Sequence, residues 1–169
     1  ERFANNLGAI AFQSGLYGTA ASYFSEAVLI NKKSNKSNPV LTNNLAACYL
    51  NENRNQLAYE LLGTLKHELD FSNSTYEGFL TRLNYLEVLI NFNQIKEAKT
   101  YIHAFEWEDI PETLKGEYLV NILKISKAEN WKNLPSLLER YKIDFATYNT
   151  KLLHKFGNGI IDLYSNNPK

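Results

Sequence analysis

Apolar residues recur at steps of three and four along most of the chain, the spacing that lays one face of an α-helix against a core. The stretch "NNLGAIAFQSGLYGTAASYFSEAV", Asn5 to Val28, carries two such runs, one on either side of Gly15. Gly15, Asn53 and Asn93 each fall between two runs. A helix commonly ends there on a left-handed residue, which Gly or Asn tolerates best. The pattern therefore predicts pairs of amphipathic helices joined by tight turns. Ala20, Ala58 and Ala98 hold matching places in the second helix of each pair, where two helices are expected to cross closely. Extra bulk at such a crossing costs about 1–3 kcal/mol.

The pairs repeat along the chain, and self-similarity of this period is the mark of a stacked array. The first copy reads Leu7-Gly8, Gly15, Tyr17, Ala20, Phe24 and Ala27. A shift of 38 residues gives Leu45-Ala46, Tyr49, Asn53, Ala58, Leu62 and Leu65, and a further 40 gives Tyr85-Leu86, Leu89, Asn93, Ile95, Ala98, Ile102 and Phe105. A fourth, degraded copy follows after 36 more, with Ile122, Ile125, Glu129, Trp131, Leu134, Leu138 and Tyr141. Asp144 then reads as an N-cap, and Phe145, Tyr148, Leu152, Phe156 and Ile160 form one stripe suited to cover the last copy. Gly157 and Gly159 are candidate kinks in that helix, and Leu163-Tyr164 is an alternative docking point for a neighbouring domain.

These positions resemble the tetratricopeptide repeat, with "NLG", "GLY" and "AASYFSEA" of the first copy in register. The chain departs from that pattern at Ala4, Thr42 and Arg82, where an aromatic is usual, at Ala11, and at Lys32 and Asp70 in place of a closing Pro. The resemblance implies an all-α fold: a right-handed α-α superhelix of about four helical hairpins. They span approximately 2–35, 39–70, 75–110 and 111–142 within a 1–142 array, with a capping helix and tail over 143–169.

The resemblance also implies a concave groove, lined by the first helix of each hairpin, that receives a peptide or partner helix. Its projected residues are Arg2, Asn5, Ala9, Phe12 and Gln13 in the first copy, and Val40, Asn43, Ala47, Leu50 and Asn51 in the second. The third contributes Leu80, Leu83, Glu87, Ile90 and Asn91, and the fourth Gly116, Leu119, Leu123, Ser126 and Lys127. Asn5-Ala9-Gln13 and Asn43-Ala47-Asn51 are each spaced i, i+4, i+8, so each trio follows one helix face. An amide side chain offers a donor and an acceptor, as a peptide bond does. Rows of amides around an alanine are therefore suited to an extended chain, with Phe12, Leu50 and Ile90 as apolar contacts. The doublets Asn5-Asn6 and Asn43-Asn44 resemble those of kinesin light chains and of bacterial peptide-sensing regulators. An Asn before the Leu-Gly pair also belongs to the repeat itself, so Asn6, Asn44 and Asn84 read as structural. A carboxylate clamp of the co-chaperone kind is rejected, because its basic positions hold Asn5, Leu80 and Asn84.

Composition narrows the function further. The 169 residues hold 18 Lys plus Arg against 18 Asp plus Glu, a balance without the basic excess of a nucleic-acid surface. No apolar run reaches the length of a membrane span, so membrane insertion is not expected. The start at Glu1 and the absence of Met read as a fragment or processed chain. One cysteine, Cys48, cannot form an internal disulfide, which fits a reducing, cytoplasmic setting. His67, His103 and His154 share no ligand spacing, and "KHELD" lacks the second His of a zinc motif. No phosphate loop, nucleophile elbow or paired carboxylates are visible, so neither catalysis nor a cofactor is expected. "FEWEDIP", Phe105 to Pro111, reads as a connector whose Pro111 starts the next helix, and "KKSNKS" from Lys32 as a solvated loop. The expectation is a non-enzymatic interaction scaffold for a protein or peptide partner. The alternatives are a peptide-sensing regulatory domain and an architectural subunit that uses its convex face or terminal helix.

Overall fold

The first helix of every hairpin stops at a residue whose backbone only Gly or Asn enters cheaply. In the computed structural model, which describes residues 1–34 and 38–130, Gly15 (φ 74), Asn53 (φ 59), Asn93 (φ 58) and Asn130 (φ 55) are left-handed. The same bonds surround the first three. The N–H of the following residue reaches back five positions, Leu16 to Ala11 (2.9 Å), Arg54 to Tyr49 (2.8 Å) and Gln94 to Leu89 (2.9 Å). This is a Schellman turn, which satisfies carbonyls that the helix end would leave open.

These turns separate α1 (Arg2–Gln13) from α2 (Tyr17–Lys33), α3 (Pro39–Asn51) from α4 (Asn55–Gly63), and α6 (Tyr76–Asn91) from α7 (Ile95–Ile102). A single turn, α5 (Lys66–Leu69), lies between the second and third hairpins, and α8 (Glu112–Ala128) follows a 3-10 turn at Trp107–Asp109. The described residues are all-helical and include no strand. The chain divides into two compact units, Glu1–Pro111 and Glu112–Lys169. The first holds α1 to α7, and the described part of the second is α8 with the turn that ends at Asn130.

Helix starts carry their own signals. Asn38 caps α3 by accepting from the Val40 N–H at 3.1 Å, with Pro39 as the first helical residue. Thr75 caps α6 by accepting from the Gly78 N–H at 3.1 Å. Asn73 in turn accepts from the Thr75 N–H (3.0 Å) and hydroxyl (2.7 Å). A Cβ on Gly78 would lie 2.9 Å from the Asn73 carbonyl oxygen, so this loop closes only over a glycine.

Ala20, Ala58 and Ala98 are fully buried, as the crossing argument requires. Gly8 serves the same end, since a Cβ there would meet the Phe24 ring at 2.8 Å. Between the first two hairpins, Leu41 packs with Ala4 and Ala27, while Leu45 and Cys48 pack with Ala11, Ala21 and Phe24. Between the second and third, Val88 joins Ala46, Leu50, Ala58, Leu62 and Leu65. Full burial of such a side chain is worth about 1.5–3 kcal/mol.

The second helix of copy two is short, spanning Asn55–Gly63. It ends at Gly63, a poor helix former, where Thr64 turns its hydroxyl onto the Leu61 carbonyl at 2.6 Å and α5 restarts the chain. The fourth copy is displaced by 37 residues from the third, not 36. Asn130, not Glu129, is the left-handed counterpart of Asn93, and the Asn130 N–H to Lys127 carbonyl bond matches that of Asn93 to Ile90. Pro111 stands one residue ahead of α8 rather than opening it. The second half of the fourth copy, the capping segment 143–169, His154 and positions 35–37 lie outside the described residues.

Candidate functional site

The turn register puts Gln13, Asn51 and Asn91 at the same place in three successive hairpins, at the last position of α1, α3 and α6. All three are exposed. Asn51 donates through Nδ2 to the Ala47 carbonyl of its own helix (2.8 Å), which holds the side chain along the helix surface. Asn91 donates through Nδ2 to Oδ1 of Asn55 at the start of α4 (3.0 Å), tying the end of α6 to the hairpin before it.

One residue earlier, Phe12 and Ile90 are half-buried, and Phe12 meets Tyr17 edge-on at 5.2 Å between centroids. Leu50, their counterpart in the second hairpin, is in the core with Ala58 and Leu62 and offers no surface contact. Glu87 is half-buried on α6.

The amides nearer the helix starts differ. Asn43 is 3 % exposed, and its Oδ1 accepts from Nδ2 of Asn84 on α6 at 3.0 Å. It is a rung between two first helices, with its carbonyl already used. Its counterpart Asn5 is half-buried, with an Oδ1 that is buried and has no protein partner. The repeat predicted amides in both places but not that one of them would bind its neighbour.

On α8 the one-residue register change rotates the projected set by a quarter turn or so. Leu119, Leu123 and Ser126, read as groove residues, are buried. The positions that match the other first helices are Glu117, Val120, Lys124 and Lys127, all exposed or half-exposed. Lys127 itself is exposed and belongs to the second unit, with Ile90 rather than Asn91 as its counterpart.

The residue that spacing missed is Arg82. It stands where the tetratricopeptide pattern that the sequence resembles has an aromatic, and it is 1 % exposed. Its Nη1 donates to the carbonyls of Asp70 (2.7 Å), Asn73 (2.8 Å) and Glu68 (3.3 Å). The guanidinium also lies over Phe79 (4.5 Å), Phe71 (5.1 Å) and Phe105 (5.9 Å). Burial pulls its pKa down, against the smaller opposing influence of Tyr101 and Asp70. The aromatic run continues from Phe71 through Tyr101 and Tyr85 to Tyr59 and Phe92. Burial, then Tyr59, pushes the Tyr85 phenol up to about 12, and burial raises Tyr101 as well. The sequence signs of this cluster are an excess of aromatics around position 82 and an arginine at 82 itself, where an aromatic is expected.

Cys48 is buried, and burial with Glu52 nearby pushes its thiol up to about 12, far from a reactive thiolate. His67 is exposed and His103 half-buried. Among the described residues no three His, Cys, Asp or Glu come together to hold a metal ion, and no helix is long and apolar enough to cross a membrane. No protein family, curated protein sequence or solved structure matches the chain.

Proposed function

We propose that this chain is a non-enzymatic interaction scaffold of the tetratricopeptide kind, receiving a peptide segment or partner helix along the first helices of its hairpins. A right-handed superhelix with segment 143–169 as its cap is part of that proposal. The observation that carries it is the row of Gln13, Asn51 and Asn91, exposed amides at one register position of three hairpins. Successive amides at a repeating interval suit a ligand with repeating peptide groups. Phe12 and Ile90, half-buried one residue earlier, supply the apolar contacts, and Glu87 adds a carboxylate beside them. The buried Asn43 stands behind this surface rather than on it.

The test is selection from a displayed library of random 12-residue peptides against the full chain. Binders that lose at least tenfold in affinity to a Gln13→Ala, Asn51→Ala, Asn91→Ala variant of unchanged melting temperature support the reading. Binders indifferent to that triple change, or an absence of any binder, contradict it. A second reading, an architectural subunit with contacts away from this groove, has support in exposed apolar residues on the outer side of α1.

A further inference from the structure

The second and third hairpins each cover one stripe of their leading helix with the second helix of the hairpin before it. In α3 the stripe is Leu41, Leu45 and Cys48, at 2 %, 5 % and 0 % exposure, and α2 lies on it through Ala21, Phe24 and Ala27. In α6 the matching residues include Thr81 and Val88, at 1 % and 0 %, and Val88 packs with Ala58 and Leu62 of α4. On the second helix of the hairpin, Leu61 also turns toward the preceding cluster.

The counterparts in the first hairpin are Phe3, Leu7, Ile10 and, for Leu61, Tyr23. Phe3 is 76 % exposed and Ile10 61 %, and Leu7 and Tyr23 are half-exposed. Ile30 extends the Tyr23 stripe, with exposed Glu26 between them. At Phe3 and Ile10 this hairpin keeps large exposed apolar residues at positions that both later hairpins bury, Leu41 and Thr81 for the first and Cys48 and Val88 for the second. Leu29 on α2 differs from these residues: it is 58 % exposed at a place whose counterpart, His67, is exposed too.

We propose that the Phe3–Leu7–Ile10 face of α1 docks an amphipathic helix of a partner protein. That helix would repeat the chemistry α2 presents to α3: small residues at the crossing, as at Ala21 and Ala27, with one aromatic between them, as at Phe24. The docking continues an interface that the molecule already uses twice, and it is independent of the amide-lined groove.

A helix-stapled, fluorescently labelled peptide of the α2 sequence, Tyr17–Lys33, serves as the probe, because α2 is the helix this chain lays on the matching face of α3. It is titrated with the full chain by fluorescence anisotropy. Saturable binding is expected, at least tenfold weaker in a Phe3→Asp, Ile10→Ser variant and unchanged in Leu29→Asp. The altered side chains are exposed, so both variants are expected to keep the wild-type helical content and melting temperature. No saturable binding, or binding that survives the Phe3 and Ile10 changes, overturns the proposal. So does a dimer in light scattering that the Phe3→Asp, Ile10→Ser variant dissolves, since the face would then belong to a second copy of this chain.

Discussion

The junction between the first and second hairpins and the junction between the second and third solve one packing problem with two chemistries. At the first, small residues let branched ones approach: Ala27 receives Leu41, and Ala21 and Phe24 receive Cys48. At the second, Val88 keeps an apolar contact with Ala58, but beside it Arg82 is buried among three carbonyls and three rings. The backbone turns that set both junctions are alike. The difference lies in the connection. The chain from Gly63 to Thr75 breaks into α5 and a loop, and the loop's inward carbonyls need a donor that an apolar side chain cannot supply. A repeat therefore constrains where a hairpin turns more tightly than what fills the space between hairpins.

The largest effect expected from breaking this contrast is at Arg82. Arg82→Ala leaves the Asp70, Asn73 and Glu68 carbonyls without their shared donor and should cost about 3–5 kcal/mol in urea unfolding. The loss of Arg82→Lys should be smaller, since a cation remains. At the apolar side of the same junction, Ala58→Leu forces bulk into a fully buried crossing and should cost about 1–3 kcal/mol. Equal losses at both positions would mean that the polar cluster is no more than filling.

A smaller effect separates the structural amide from the surface ones. Asn43→Ala and Asn84→Ala should each cost about 1 kcal/mol, and a double-mutant cycle should show that the two losses are not additive. Alkaline pH probes both junctions together. The Cys48 thiol and the Tyr85 phenol are held neutral when folded, each pushed up to about 12, while the unfolded chain ionises them at ordinary values. Their contribution is complete below about pH 9 and is lost as pH rises toward 12, so the urea midpoint should fall over that window. Cys48→Ala should flatten the lower part of the fall. At the turns, two replacements of one residue should differ. Asn53→Gly should be nearly neutral, whereas Asn53→Ala should cost about 1 kcal/mol at a φ of 59.

Much of the fold was legible because the repeat acts through positions that leave marks in sequence. Left-handed residues at Gly15, Asn53 and Asn93, and fully buried alanines at 20, 58 and 98, follow from spacing and side-chain size. Asn130 was missed because a one-residue change of period cannot be seen where the copy has lost its motif residues. Burial of Ser126, Leu119 and Leu123 reveals it. Arg82 was noted only as a departure from the repeat, because its partners are main-chain carbonyls of a loop and no pattern of side chains announces them. The candidate site was legible as amide rows. Which amides face outward was not, since that depends on a neighbour such as Asn84 arriving from 41 positions along the chain.

The most direct measurement compares two variants against one peptide selected on the full chain, by calorimetric titration with melting temperatures alongside. The account predicts that the Gln13→Ala, Asn51→Ala, Asn91→Ala variant loses at least tenfold in affinity and keeps its melting temperature. It predicts the opposite for Asn43→Ala: retained affinity and a melting temperature lower by about 2–4 °C. Loss of affinity in Asn43→Ala with full binding by the triple variant would contradict it.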